Sequence, residues 1–178
     1  RQNSEPEHCD SSYCVSADSA EYRTTGGILT SIHKPMLQLC KALTEAEAEK
    51  NDSAGTHIHV YAGDLTTHQI GQVMAIYKIT DKIWDIIAGR CDNNYSLRLQ
   101  SEPISLALKA NNPMLTADKP RAVNVSHMGG QRKTIEFRQM DCNLDGLRIT
   151  KWAWFMRGIV TIAKRGAKFF EFKNVTTI

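Results

Sequence analysis

Two short stretches of this sequence set reactive side chains two residues apart. Residues 56–60 interleave His57 and His59 with Ile58 and Val60, and residues 134–138 interleave Glu136 and Arg138 with Ile135 and Phe137. In an extended chain, side chains two apart share a face. One face of each strand is therefore predicted to be apolar, while the other carries two imidazoles or an acid and a guanidinium. Burying such groups without partners costs several kcal/mol, so that face requires water or a ligand. A neutral imidazole and a carboxylate can ligate Mg2+, Mn2+ or Zn2+, and an arginine can grip phosphate or carboxylate with two parallel hydrogen bonds. Together they suit phosphoryl chemistry. Each pair alone is unspecific: H-x-H is often just hydrogen-bonded, and E-x-R is commonly a surface ion pair. Their joint occurrence on two similarly patterned strands carries the reading.

The elements that must position these groups follow from periodicity. A short strand is predicted over 21–24, closed by Gly26 and Gly27, and a helix from Pro35 in which Met36, Leu39, Cys40 and Leu43 recur at helical spacing. Gly55 admits a strand over 56–61. Thr66 or Thr67 caps one long helix with Ile70, Val73, Met74, Tyr77, Ile83, Trp84 and Ile87 on its apolar face, stopped by Gly89. A polar connection over 90–103 leads to a short helical piece over 104–110. Strands over 121–127 and 133–140, separated by Met128, Gly129, Gly130 and Gln131, read as an antiparallel hairpin. The last helix spans about 146–164, with Ile149, Trp152, Met156, Ile159, Val160 and Ala163 facing inward. This order does not alternate as a doubly wound fold does. It indicates an α+β domain, a mostly antiparallel sheet with helices packed on one face.

A chain of 178 residues with 42% apolar content can bury one sizeable core. No apolar run reaches the roughly 18 to 20 residues that span a bilayer, and the net charge of +3 is spread among acids, so neither a membrane nor nucleic acid is indicated as a partner. Cys9, Cys14, Cys40, Cys91 and Cys142 form no C-x-x-C pair, which fits a reducing, cytoplasmic setting. His8, His33, His68 and His127 lack paired ligand spacing and read as surface or capping residues. Trp84, Trp152, Trp154 and Phe155 read as core or interface, Gly129 and Gly130 as turn, and Asp141 and Asp145 as loop and cap.

Beyond this reading, residues 55–60 resemble the G-x-H-V-H-V strand of the glutamine-synthetase-like amidoligases, relatives of glutamine synthetase and the glutamate–cysteine ligases. Three further stretches agree in order: Arg90 with Asn93, Asn94 and Tyr95 is similar to an R-x-x-N-x-Y segment, Arg121 with Asn124 to an Arg/Asn strand, and residues 134–138 to a T-hydrophobic-E-F-R strand. The helix with Lys151 and Trp152 is similar to the family's next helix, so the match runs from about Glu21 to Lys164. The resemblance implies that Glu21, His57 and Glu136 bind metal, and that His59, Asn94, Tyr95 and Asn124 bind substrate or nucleotide. It further implies that Arg138, Arg121 and Arg90 contact the transferred phosphate. ATP and Mg2+ or Mn2+ would be the cofactors, and a small-molecule or peptide carboxylate and an amine the substrates, joined through an acyl-phosphate.

One family feature falls outside the sequence. Asp10, Ser11 and Ser12 look like the D-G-S segment that follows the family's E-x-E metal strand, which would place that strand upstream of Arg1. Residues 1–178 are then expected to form a single amidoligase-like domain lacking its first strand, with an upstream segment or a protein partner completing the site. The competing expectation is an inactive structural or assembly protein, such as a phage virion component, that keeps the fold. A metal-dependent hydrolase using His57, His59 and Glu136 is the third reading, disfavoured because no general base stands at a catalytic spacing.

Overall fold

The computed structural model describes residues 27, 29–50, 54–90, 96–99 and 121–166. The strand predicted over 21–24, the helical piece over 104–110, and Glu21, Asn94 and Tyr95 lie outside them. Helix α1 (Leu29–Glu45) is followed by strand β1 (Gly55–Tyr61), helices α2 (Thr67–Ile79) and α3 (Asp81–Ala88), strands β2 (Val123–Asn124) and β3 (Thr134–Asp141), and helix α4 (Gly146–Lys164). The sheet has the order β1, β3, β2, and both pairings are antiparallel. This is an α+β architecture, as the sequence pattern indicates.

The central strand is apolar toward the helices. Ile135 and Phe137 of β3 are fully buried, with Ile58 and Val60 of β1 packed beside them. Tyr77 of α2 meets Phe137 at a ring-centroid distance of 5.7 Å, and Trp84 of α3 meets Trp152 of α4 edge-on, also at 5.7 Å. Aromatic pairs in such geometry add to the area they bury, so α2, α3 and α4 are locked to one face of the sheet through large rings. The opposite face is left to the polar residues of β1 and β3.

Three element boundaries differ from the periodicity reading. Helix α1 begins at Leu29 rather than Pro35, and Pro35 lies inside it. Proline removes one intrahelical bond and disfavours a helix interior, but α1 is held by packing on α4. At Gly146 a Cβ would come within 2.9 Å of the Leu37 Cα and the Met36 carbonyl oxygen, so the two backbones nearly touch there.

The long helix predicted from Thr66 is in fact two. Its start is as expected: Thr66 and Gln69 form a reciprocal capping box, the Gln69 N–H donating to Thr66 Oγ1 and the Thr66 N–H to Gln69 Oε1. At Thr80 the backbone leaves helical geometry (φ −103°, ψ 10°), and the Thr80 hydroxyl donates back to the Ile76 carbonyl at 2.8 Å. The Ile83 and Trp84 amides then restart on the Thr80 carbonyl. Ile83, expected on the inner face, is exposed together with Ile79 and Ile86, while Trp84 is buried.

The hairpin's first strand is also shorter than its pattern. Strand β2 stops at Asn124, and Ser126–Gly129 form a 3-10 turn because the Ser126 amide donates to the Asn124 side-chain oxygen at 2.9 Å. Asp145 caps α4 as predicted, accepting from the Leu147 and Arg148 amides, and Gly89 ends α3 with φ 71°. Among the described residues, no helix is long and apolar enough to cross a membrane.

Candidate active site

The pairing of β1 with β3 decides which side chains meet. His59 pairs with Glu136, Ile58 with Phe137, and Val60 with Ile135. Between Thr56 and Ile58 the register shifts: Thr56 faces Met140 while Ile58 faces Phe137, so β3 spans one residue more than β1 across the same interval. His57 lies opposite this bulge. Bulges re-aim side chains beside sites; here the extra residue brings Met140 opposite Thr56, while by simple alternation Gln139 meets Tyr77 on the helix side and Arg138 meets Glu136 on the other.

Glu136 is the hub. It is 3% exposed, as is Arg138, and its carboxylate is met from four elements, its own strand included. Arg138 Nη1 donates to Oε1 at 2.9 Å, and His57 Nδ1 lies 3.0 Å from the same oxygen. Asn124 Nδ2 donates to Oε2 at 2.9 Å, with His127 Nε2 at 3.4 Å. His59 Nε2 stands 3.8 Å from Oε1, its Nδ1 3.2 Å from Thr134 Oγ1. Burial opposes the charge on Glu136, but the hydrogen bond from His57 and the fields of Arg138, His57 and His59 outweigh it and hold the carboxyl well below its usual range. The His59 imidazole is lowered, chiefly by burial; Glu136 pulls it up, while His127, His57 and Arg132 push it down. A neutral His59 beside an ionised Glu136 results.

His127 is the residue that sequence spacing missed. From sequence it reads as a surface or capping residue because it has no paired ligand spacing. The 3-10 turn instead brings its ring to 5.1 Å from the His59 ring, edge-on. The signal that could have found it is Asn124 two residues before Ser126, a pattern that favours a side-chain-capped turn. Among the described residues, His59, His127 and Glu136 are the group whose donor atoms could hold a metal ion, all within 4.8 Å of one another.

Contacts of the other residues singled out in the sequence lie at the start of β1, at the 96–99 segment and on α4. Arg90 is buried against the start of β1, with Nη2 donating to the Ala54 carbonyl at 3.1 Å. A Cβ on Gly55 would sit 2.4 Å from Arg90 Nη1, so glycine is needed there for the guanidinium to pass. Arg121 Nη1 donates to the Arg98 carbonyl at 3.0 Å, next to the bridge between Leu97 and Arg121. Asp141 accepts from Arg148 at 3.5 Å, a contact between β3 and α4.

A small antiparallel sheet thus has helices behind it and a cluster of histidines around a buried carboxylate in front. The family described as "Putative amidoligase enzyme" matches residues 29–160, well over half of the 178-residue chain, and the chain belongs to that amidoligase family. No curated protein and no solved structure matches it.

Proposed function

We propose that the chain is an ATP-dependent ligase that joins a carboxylate to an amine through an acyl-phosphate. The observation that carries this reading is the single cluster in which His57, His59, Asn124 and Arg138 surround an ionised, buried Glu136. Family membership supplies the reaction class.

The metal that the resemblance implies can be weighed against the donors. His57 Nδ1 and Glu136 Oε1 are 3.0 Å apart, which fits the edge between neighbouring ligands of a six-coordinate ion, about 3 Å at metal–oxygen distances near 2.1 Å. The residues present therefore fit, with His57 and Glu136 as ligands and Glu21 as an implied third. Mg2+ or Mn2+ bound there would neutralise charge on the phosphoryl oxygens. Arg138 keeps the carboxylate oriented, and in this reading its positive charge would stabilise the charge that develops on the phosphoryl group. A substrate carboxylate oxygen attacks the γ-phosphorus of ATP and ADP leaves; the amine nitrogen then attacks the acyl carbon and expels phosphate. The protein's part is position and electrostatics, which is why no dedicated nucleophile is needed.

The test is hydroxylamine trapping. Incubating the full chain with ATP, Mg2+ or Mn2+ and a panel of mono- and dicarboxylates should release ADP and yield hydroxamates. No ADP release with any acid would remove the proposal. One observation favours a second reading, a catalytically silent member of the family: both oxygens of Glu136 are already met by Arg138, His57 and Asn124, as in a purely structural cluster. The silent reading predicts no turnover and unchanged assembly in Glu136→Gln.

A further inference from the structure

We propose that His59, His127 and Glu136 form a binding site for one divalent transition-metal ion of the zinc type. This donor set differs from the one the family resemblance implies, because it contains His127 and leaves out His57. It stands on the geometry of three side chains, whether or not the chain is a ligase.

The arrangement is built in three steps. First, His59 Nδ1 is within hydrogen-bond distance of the Thr134 hydroxyl, 3.2 Å, which holds the ring and directs Nε2 toward the carboxylate. An imidazole whose far nitrogen is fixed by an outer partner is the usual form of a histidine ligand. Second, Asn124 ties the other two donors together. Its Nδ2 donates to Glu136 Oε2 while its Oδ1 accepts from Ser126, the first residue of the turn that carries His127. The turn is thus registered against the carboxylate by one side chain. Third, His127 Nε2 reaches to 3.4 Å from Oε2, and all three donor atoms lie within 4.8 Å of one another. Ligands of a tetrahedral zinc stand about 3.3 Å apart at bond lengths near 2 Å, so a small rotation of the two partly exposed rings closes the set.

The ion class follows from the donors. Two imidazoles and one carboxylate suit zinc, cobalt or nickel, whereas Mg2+ and Ca2+ prefer oxygen. Three protein ligands leave a position open for water or an anionic group.

The experiment uses the full chain and metal alone, without nucleotide. Competition with a chromophoric chelator should show one Zn2+ per chain, undisturbed by millimolar Mg2+. His59→Ala and His127→Ala should each weaken Zn2+ by about tenfold or more, and Thr134→Val, which removes only the outer partner, by a similar or smaller factor. His57→Ala should change it by less than about threefold, on the same scale. In the unmutated protein, substoichiometric Co2+ should broaden the imidazole resonances of His59 and His127 before those of His33 and His68, a readout independent of any variant's folding. Equal broadening of all histidines, unchanged affinity in His127→Ala, or loss confined to His57→Ala would each overturn the site. Zn2+ binding with this pattern in a chain that makes no hydroxamate would uphold the site and reject the ligase; the reverse result separates them the other way.

Discussion

At the scale of single residues, what the alternation of β1 and β3 could show was which side chains share a face, and it did so for His57, His59, Glu136 and Arg138. What it could not show was how deeply they lie. From sequence alone, Glu136→Ala looks harmless to the fold and damaging only to binding. With Glu136 and Arg138 each 3% exposed and bonded at 2.9 Å, removing the carboxylate takes its ion-pair partner from a buried guanidinium and the shared acceptor from His57 and Asn124. Glu136→Ala is therefore expected to destabilise by about 3–5 kcal/mol, seen as a lower urea midpoint. The depressed Glu136 titration gives this a pH signature. Its contribution is present above the ordinary carboxyl value of 4.5 and is lost as pH falls below it toward the lower value in the folded protein. Wild type should lose more stability between about pH 5 and pH 3 than Glu136→Gln, which has no such titration; parallel profiles would mean that the carboxylate is not held ionised by its neighbours. Arg138→Lys should impair turnover, since an ammonium cannot reproduce the planar fork that orients Glu136, and retained kcat would assign the arginine to structure alone.

At the scale of elements, helix existence was legible from apolar spacing and capping residues, whereas breaks were not. The α2–α3 break turns on a hydroxyl of Thr80 bonding back one turn, a choice open to any threonine in a helix and fixed here by what Trp84 packs against. The short β2 turns on Asn124, whose side chain captures the Ser126 amide and ends the strand, and that same event carries His127 to His59 and Glu136. Gly146 is the element-level prediction. Its missing Cβ is what lets α1 and α4 meet, because the atoms a side chain would strike at 2.9 Å are the Leu37 Cα and the Met36 carbonyl, which cannot swing aside. Gly146→Ala should raise the helix propensity of α4 yet destabilise the protein by about 1–3 kcal/mol as the helices part. Amide exchange in α1 should quicken more than in α2. An unchanged or higher Tm would show that α1 rests on α4 more loosely than these distances state.

At the scale of the whole molecule, the α+β class was legible because the order of periodic segments excludes a doubly wound sheet, but the polar chain that joins the layers was not. Gln139 sits on the helix-facing side of β3, a position that alternation would fill with an apolar residue. Tyr77 of α2 donates to Gln139 Oε1, Gln139 Nε2 donates to Asp85 of α3 at 2.7 Å, and Arg98 pairs with Asp85. Two helices, the central strand and the segment at 96–99 are thereby linked through one buried amide. Burial, followed by the charges of Asp85 and Asp81, pushes the Tyr77 phenol well above its usual 10. For an acid whose neutral form is favoured in the folded state, stability is intact below the unfolded value and declines as pH rises from there toward the folded one. Wild type should thus lose stability progressively above about pH 10. Tyr77→Phe should start lower at neutral pH, by about 1–3 kcal/mol, because Gln139 Oε1 is left without its donor. It should then fall less steeply, so that the gap between the two proteins narrows with alkali. Chemical denaturation at closely spaced pH values measures both effects at once. A gap that stays constant through pH 10 and beyond would mean that the phenol ionises as readily inside the fold as out of it, and that the chain through Gln139 does not bind the layers together.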